Sequence, residues 1–206
     1  MSKESTKVPG SQRQKQKIQT RNHIIETAID QFAKNGLAAT RTSDIAAAAK
    51  VSHGTIFAHF PTREALLDEV IEEFGIRITR RLHELADGNC GMREVLEAHL
   101  KGIEEYESFY TRLISEAPIL PESARNALIM IQSAISFHMI QIAEHEISEG
   151  KIIEMPFDLM FNTWIGLVHH YLTNKDLFSN GESVTERHGH RLAEHYLKLI
   201  SKKEMK

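Results

Sequence analysis

The chain has 206 residues, enough for one or two domains and a substantial core, and a net charge of −3. Its single cysteine, Cys90, excludes an internal disulfide framework and any multi-cysteine zinc or iron–sulfur site. The charge is uneven: residues 1–65 hold ten Lys/Arg against five Asp/Glu, or +5, which leaves −8 for the rest. A basic end on an acidic body suits a chain that meets nucleic acid at one end only.

Residues 1–16 are polar, with Lys3, Lys7, Arg13 and Lys15, and are expected to form a flexible basic arm. Such an arm either reaches phosphates and the minor groove or is a plain tail. No apolar run approaches the roughly 18 residues of a membrane span, and no signal-peptide core opens the chain. The expected location is the cytoplasm, with no membrane partner.

A first helix is predicted from Lys17 to Asn35, with Ile25, Ala28, Ile29 and Phe32 as its buried stripe. Gly36 stops it in the C′ position. Next comes TSDIAAAAKVSHGTIFAHF, Thr42 to Phe60, which has the pattern of two short helices and a tight turn. Ile45, Ala48 and Ala49 give the first helix one buried stripe, and its alanines admit a second helix closely. Ser52 is placed to cap that second helix, whose outward residues are small, polar or aromatic, a suitable face for a major groove. Thr62 is placed to cap a fourth helix that runs from the Arg63 region through LHEL into the body, a natural lever.

Beyond Gly91 every segment keeps a helical period. Helices are expected over Met92–Glu105, Tyr106–Glu116, from Pro121 to near Gly150, over Phe157–Leu172, and from Ser183-Val-Thr-Glu186, a capping box, to about residue 200. Phe157–Leu172 is apolar nearly all round, which calls for burial in a core and against a partner chain. The fold class is all-α.

Residues 24–70, from IIETAIDQF and NG through VSHGTIFAHF to PTREALLDEV, resemble the N-terminal DNA-binding domain of TetR-family bacterial transcription regulators. Lys50 departs from the pattern, standing where such families place Gly; at φ > 0 it costs about 1 kcal/mol relative to Gly. The resemblance implies a helix-turn-helix domain over 17–63 and a helical regulatory and dimerisation domain over 64–206. It implies phosphate contacts from Thr42, His59 and Arg63, and base-edge or backbone contacts from Ser43, His53, Gly54, Thr55 and Phe57. The implied partners are a palindromic double-stranded DNA operator, a second copy of the chain in a homodimer, and a small-molecule effector of unknown identity.

For that effector, Phe109, Tyr110, Leu113, Ile135, His138, Trp164 and Tyr171 combine apolar walls with polar tips. For the dimer, Trp164, Gly166 and Leu192 are the candidate contacts. No cofactor and no metal is expected: His138 and His145 lie seven residues apart, about 10 Å along a helix, too far to share one zinc ion. A helical-bundle metal enzyme would need Glu-x-x-His pairs, and no histidine has Glu three residues before it. Nor is there a G-x-S-x-G elbow or a P-loop. A ligand-independent activator or nucleoid-associated DNA-binding protein is the alternative that the sequence leaves open beside a ligand-released repressor.

Overall fold

The computed structural model describes residues 12–85 and 90–202. Within them the chain forms ten α-helices: α1 Gln12–Asn35, α2 Thr42–Ala48, α3 His53–His59, α4 Arg63–Leu85, α5 Met92–Glu104, α6 Glu107–Glu116, α7 Glu122–Ser148, α8 Phe157–Thr173, α9 Lys175–Phe178 and α10 Val184–Ile200. A 3₁₀ turn at Ala117–Ile119 precedes α7. An isolated antiparallel bridge pairs Ile152 with Ser201.

The N-terminal unit closes around Ile24, Ala28 and Phe32 of α1, Ile45 of α2, Ile56 of α3 and Leu66 of α4, all buried. α1 ends at Gly36, which adopts φ +89° and donates its N–H to the Phe32 carbonyl at 2.9 Å. α1 starts five residues before the expected Lys17, because QRQKQ, though polar, consists of good helix formers. The rest of the expected arm, residues 1–11, lies outside the described residues.

α4 joins this unit to the body, packing on α5 and α7. Gly75 brings α4 and α7 together: a Cβ there would stand 2.7 Å from Ile131 Cγ1. Phe74 anchors the joint, with its ring 5.1 Å from that of Phe109 and 5.6 Å from that of Tyr110 on α6. Deeper in the body, Trp164 Nε1 donates to His99 Nδ1 at 3.0 Å, and the Tyr196 hydroxyl donates to the Met160 carbonyl at 2.7 Å. Ser183 Oγ caps α10 by accepting the Glu186 N–H at 3.2 Å. Glu107 reinforces that helix start, its carboxylate accepting the N–H groups of Val184 and Thr185 at 2.9 Å each.

α7 holds an 18-residue window of mean hydropathy 1.3, 28% of it buried, so by length and composition alone it could cross a membrane. Its inner face, Leu128, Ile131, Ile135 and Met139, packs in the core. Its outer face carries Ile129, Met130 and Phe137 exposed, which raises the average without a continuous apolar run.

Candidate nucleic-acid interface

The α2–α3 unit is held by short local bonds. Arg41 N–H donates to Asp44 Oδ2 at 3.0 Å, starting α2. α2 ends on Ala49, and Lys50 turns the chain at φ +56°, the left-handed conformation expected of a glycine position. Val51 N–H then returns to the Ala46 carbonyl at 3.0 Å. Ser52 caps α3, accepting the Thr55 N–H at 3.1 Å, and its hydroxyl lies 2.8 Å from the Thr55 hydroxyl.

This geometry sorts the predicted contact residues. His53, Gly54 and Phe57 are exposed on α3, and Phe57 meets the His53 ring edge-on at 4.9 Å. Ser43 is exposed beside Asp44. Thr42 is buried, with its hydroxyl 2.9 Å from His53 Nε2, so it orients that imidazole. Thr55 is half-buried and engaged with the cap. His59 is half-buried, and its Nδ1 has no partner among the described residues. Burial, followed by the charges of Lys17 and Arg21, holds its imidazole below the usual value.

Arg63 departs from the expected phosphate role. Its Nε donates to the Thr40 carbonyl at 3.1 Å, and its terminal nitrogen donates to the carbonyls of Leu37 and Ala38. The guanidinium is therefore committed to backbone carbonyls of the α1–α2 loop. Exposed cations near α2 and α3 are instead Arg41 and Lys50, with Lys17 of α1 near His59. Lys50 stands out in the sequence by replacing the turn glycine just before α3, whereas Arg41, at the start of α2, carries no such signal.

The predicted effector and dimer residues divide in the same way. Phe109, Tyr110, Leu113, Ile135 and Trp164 are fully packed core, so their apolar side chains mark the interior rather than a cavity. Tyr171 stacks on Phe178 with ring centroids 4.3 Å apart. His138 alone of that set lines a groove of about 690 Å³ between α4 and α7, facing His83 at 6.4 Å between ring centroids. Trp164 and Leu192 point into their own chain's core and are closed to a partner. Gly166 lies on the exposed side of α8, with nothing within 4 Å of where a Cβ would sit.

Residues 24–70 match the sequence family described as bacterial regulatory proteins, tetR family. An HTH-type transcriptional repressor of Mycobacterium tuberculosis is 41% identical over 76 residues, covering 37% of this chain and 40% of that protein. The chain thus spans about two fifths of the length of such curated relatives. Two solved structures are alike over nearly the whole chain. A putative transcriptional regulator from Saccharomonospora viridis, in complex with choline, has a TM-score of 0.76 at 18% identity, over 90% of this chain and 100% of that one. Bacillus subtilis FadR, in complex with stearoyl-CoA, has a TM-score of 0.73 at 20% identity, over 87% and 98%. At these identities the likeness shows a shared fold, an N-terminal helix-turn-helix followed by a helical body.

Proposed function

We propose that the chain, whose residues 24–70 match the tetR family of bacterial regulatory proteins, is a homodimeric transcriptional repressor, released from a palindromic operator by a small effector. The observation that carries the DNA reading is α3 itself. It is short, capped at Ser52, and presents His53, Gly54 and Phe57 outward beside Arg41 and Lys50. Side chains of this kind donate to phosphate oxygens and cover thymine methyls. Ser43 joins them from α2, and His59 contributes from the far end of α3.

The dimer reading rests on the outer side of α8, where Leu159, Asn162, Thr163 and Gly166 are exposed along one face. A two-fold axis there would place two α3 helices at a fixed spacing on the duplex. The effector reading rests on the α4–α7 groove. That location couples to DNA through α4, whose first residue, Arg63, grips the loop leading into α2. An effector acts only by favouring one arrangement of this lever over the other. The chain would act in the cytoplasm, where the DNA is.

Selection of bound duplexes from random or genomic DNA tests the reading. The expected result is an enriched site with two-fold symmetry, whose affinity falls steeply as salt rises. Recovery of no enriched site sinks it.

A further inference from the structure

The α4–α7 groove has a chemical polarity that narrows its occupant. Along α4 it passes from Asp68 and Glu72, over Gly75 and Ile76, to Thr79, Arg80 and His83. The opposite wall is Ser123, Ala127, Met130, Ile131 and His138 of α7. The middle is apolar and open: Met130 is 70% exposed and Ile76 49%. From Glu72 to Arg80 is eight residues of helix, about 12 Å.

At the acidic end one of the two carboxylates is stabilised from within the chain. Asp68 Oδ1 accepts the Ser123 hydroxyl at 2.9 Å in the first turn of α7, where the helix dipole favours a negative charge. Glu72 is exposed. The basic end is not compensated. Carboxylates on the far side of Arg80 are already engaged: Glu73 with Arg77 at 2.9 Å, Glu84 with Arg81 at 3.4 Å, and Glu105 with the Tyr106 hydroxyl at 2.9 Å. Arg80 enters no ion pair among the described residues. Beside it, His83 and His138 face one another, and burial, then His83, holds the His138 imidazole below its usual value. An anion placed there would ease both penalties.

Resting on the effector reading above, we infer that this groove binds an amphiphile with a single anionic head, held by Arg80, His83 and His138, its chain lying along Gly75, Ile76 and Met130. A cationic amphiphile in the reverse orientation would meet Asp68 already held by Ser123 and the first turn of α7. The volume, about 690 Å³, is that of a site for one small molecule.

Calorimetric titration of the full chain with decanoate, decanol and decyltrimethylammonium, each kept below its aggregation concentration, separates the possibilities. Decanoate is expected to bind at least about tenfold more tightly than either of the others, as one charge-assisted contact supplies. Arg80→Gln should erase the preference for decanoate over decanol, and Met130→Asp should weaken both. Equal affinity for all three compounds, preference for the cation, or no binding of any overturns the inference. Operator binding by the unliganded chain, measured separately, reports on the regulator reading alone, so the two can fail independently.

Discussion

Glu116, the last residue of α6, accepts the backbone N–H of Ala38 at 2.7 Å through its Oε2. The body thereby touches the loop that launches α2, within the same stretch whose carbonyls Arg63 holds from α4. Its carboxylate also occupies the space beside Gly36, where a Cβ would lie 2.6 Å from Oε1. The body, through Glu116 of α6, and the linking helix α4, through Arg63, thus converge on one loop of the DNA-binding unit, so movement in either reaches the start of α2 directly.

Gly36→Ala should be strongly destabilising, since it combines φ +89° with that contact. The φ cost alone is about 1–2 kcal/mol. A second substitution, Glu116→Ala, removes the contact and should recover part of the loss, which a double-mutant cycle by chemical denaturation would show. Strict additivity would mean that the two residues do not meet.

Arg63→Ala should weaken binding to every duplex alike, but through the loop and not through a phosphate. The log–log salt slope of operator binding should therefore stay unchanged. For Arg41→Ala, which removes an exposed cation, the slope should become shallower by about 0.9 for each phosphate that this side chain neutralises. A shallower slope for Arg63→Ala would restore it to the phosphate-binding set.

Local chemistry makes much of the fold legible. Ser52, Thr62 and Ser183 read as caps from their sequence neighbours, and each accepts the N–H three residues on. The left-handed backbone at Lys50 follows from its place in the turn. The failures share one cause, long-range register. That Arg63 reaches back 23 residues, or Glu116 back 78, leaves no trace in periodicity. The groove arises where Gly75 lets α4 approach Ile131, so its lining depends on a crossing that composition does not encode. Aromatic residues such as Trp164 and Tyr110 signal burial correctly and function wrongly.

Lys50→Gly should raise stability by about 1 kcal/mol, by relieving the left-handed conformation of a residue with a Cβ. Operator affinity should nevertheless fall, because the variant lacks the exposed ammonium beside α3. Thermal denaturation and DNA titration on the same preparation check both signs.

Stability should decline as pH drops below about 6.5. Burial pushes His99 down to about 3 and His169 down to about 4, with the charge of His169 a lesser cause for His99. Both imidazoles are depressed relative to the unfolded chain, so the unfolded state binds more protons between these values and 6.5. Stability is then complete above the unfolded value and erodes toward pH 4, by up to about 1.4 kcal/mol per pH unit for each imidazole. His99→Gln keeps an acceptor for Trp164 and should flatten the acid limb. An unchanged limb in that variant would exclude His99 as its source.

His53→Ala and Phe57→Ala should alter which sequences a selection recovers, while leaving the fold intact. Both side chains are exposed, and their rings pack edge-on against each other. A shift at one or two positions of the site is expected, worth about 1–3 kcal/mol of discrimination each. Weakening without any change in preference would move these residues from base readout to backbone contact.

Gly166 separates assembly from folding. A side chain at this position meets nothing within its own chain, and replacing a mid-helix glycine favours α8 by about 0.5–1 kcal/mol. Gly166→Arg should therefore fold as stably as the parent or more so. If the outer face of α8 forms the two-fold interface, the added guanidinium would crowd its own symmetry mate and bring like charges together. Sedimentation should then show a monomer at micromolar concentration, and operator affinity should drop because each α3 binds a half-site alone. A folded Gly166→Arg chain that still sediments as a dimer places the interface on another face.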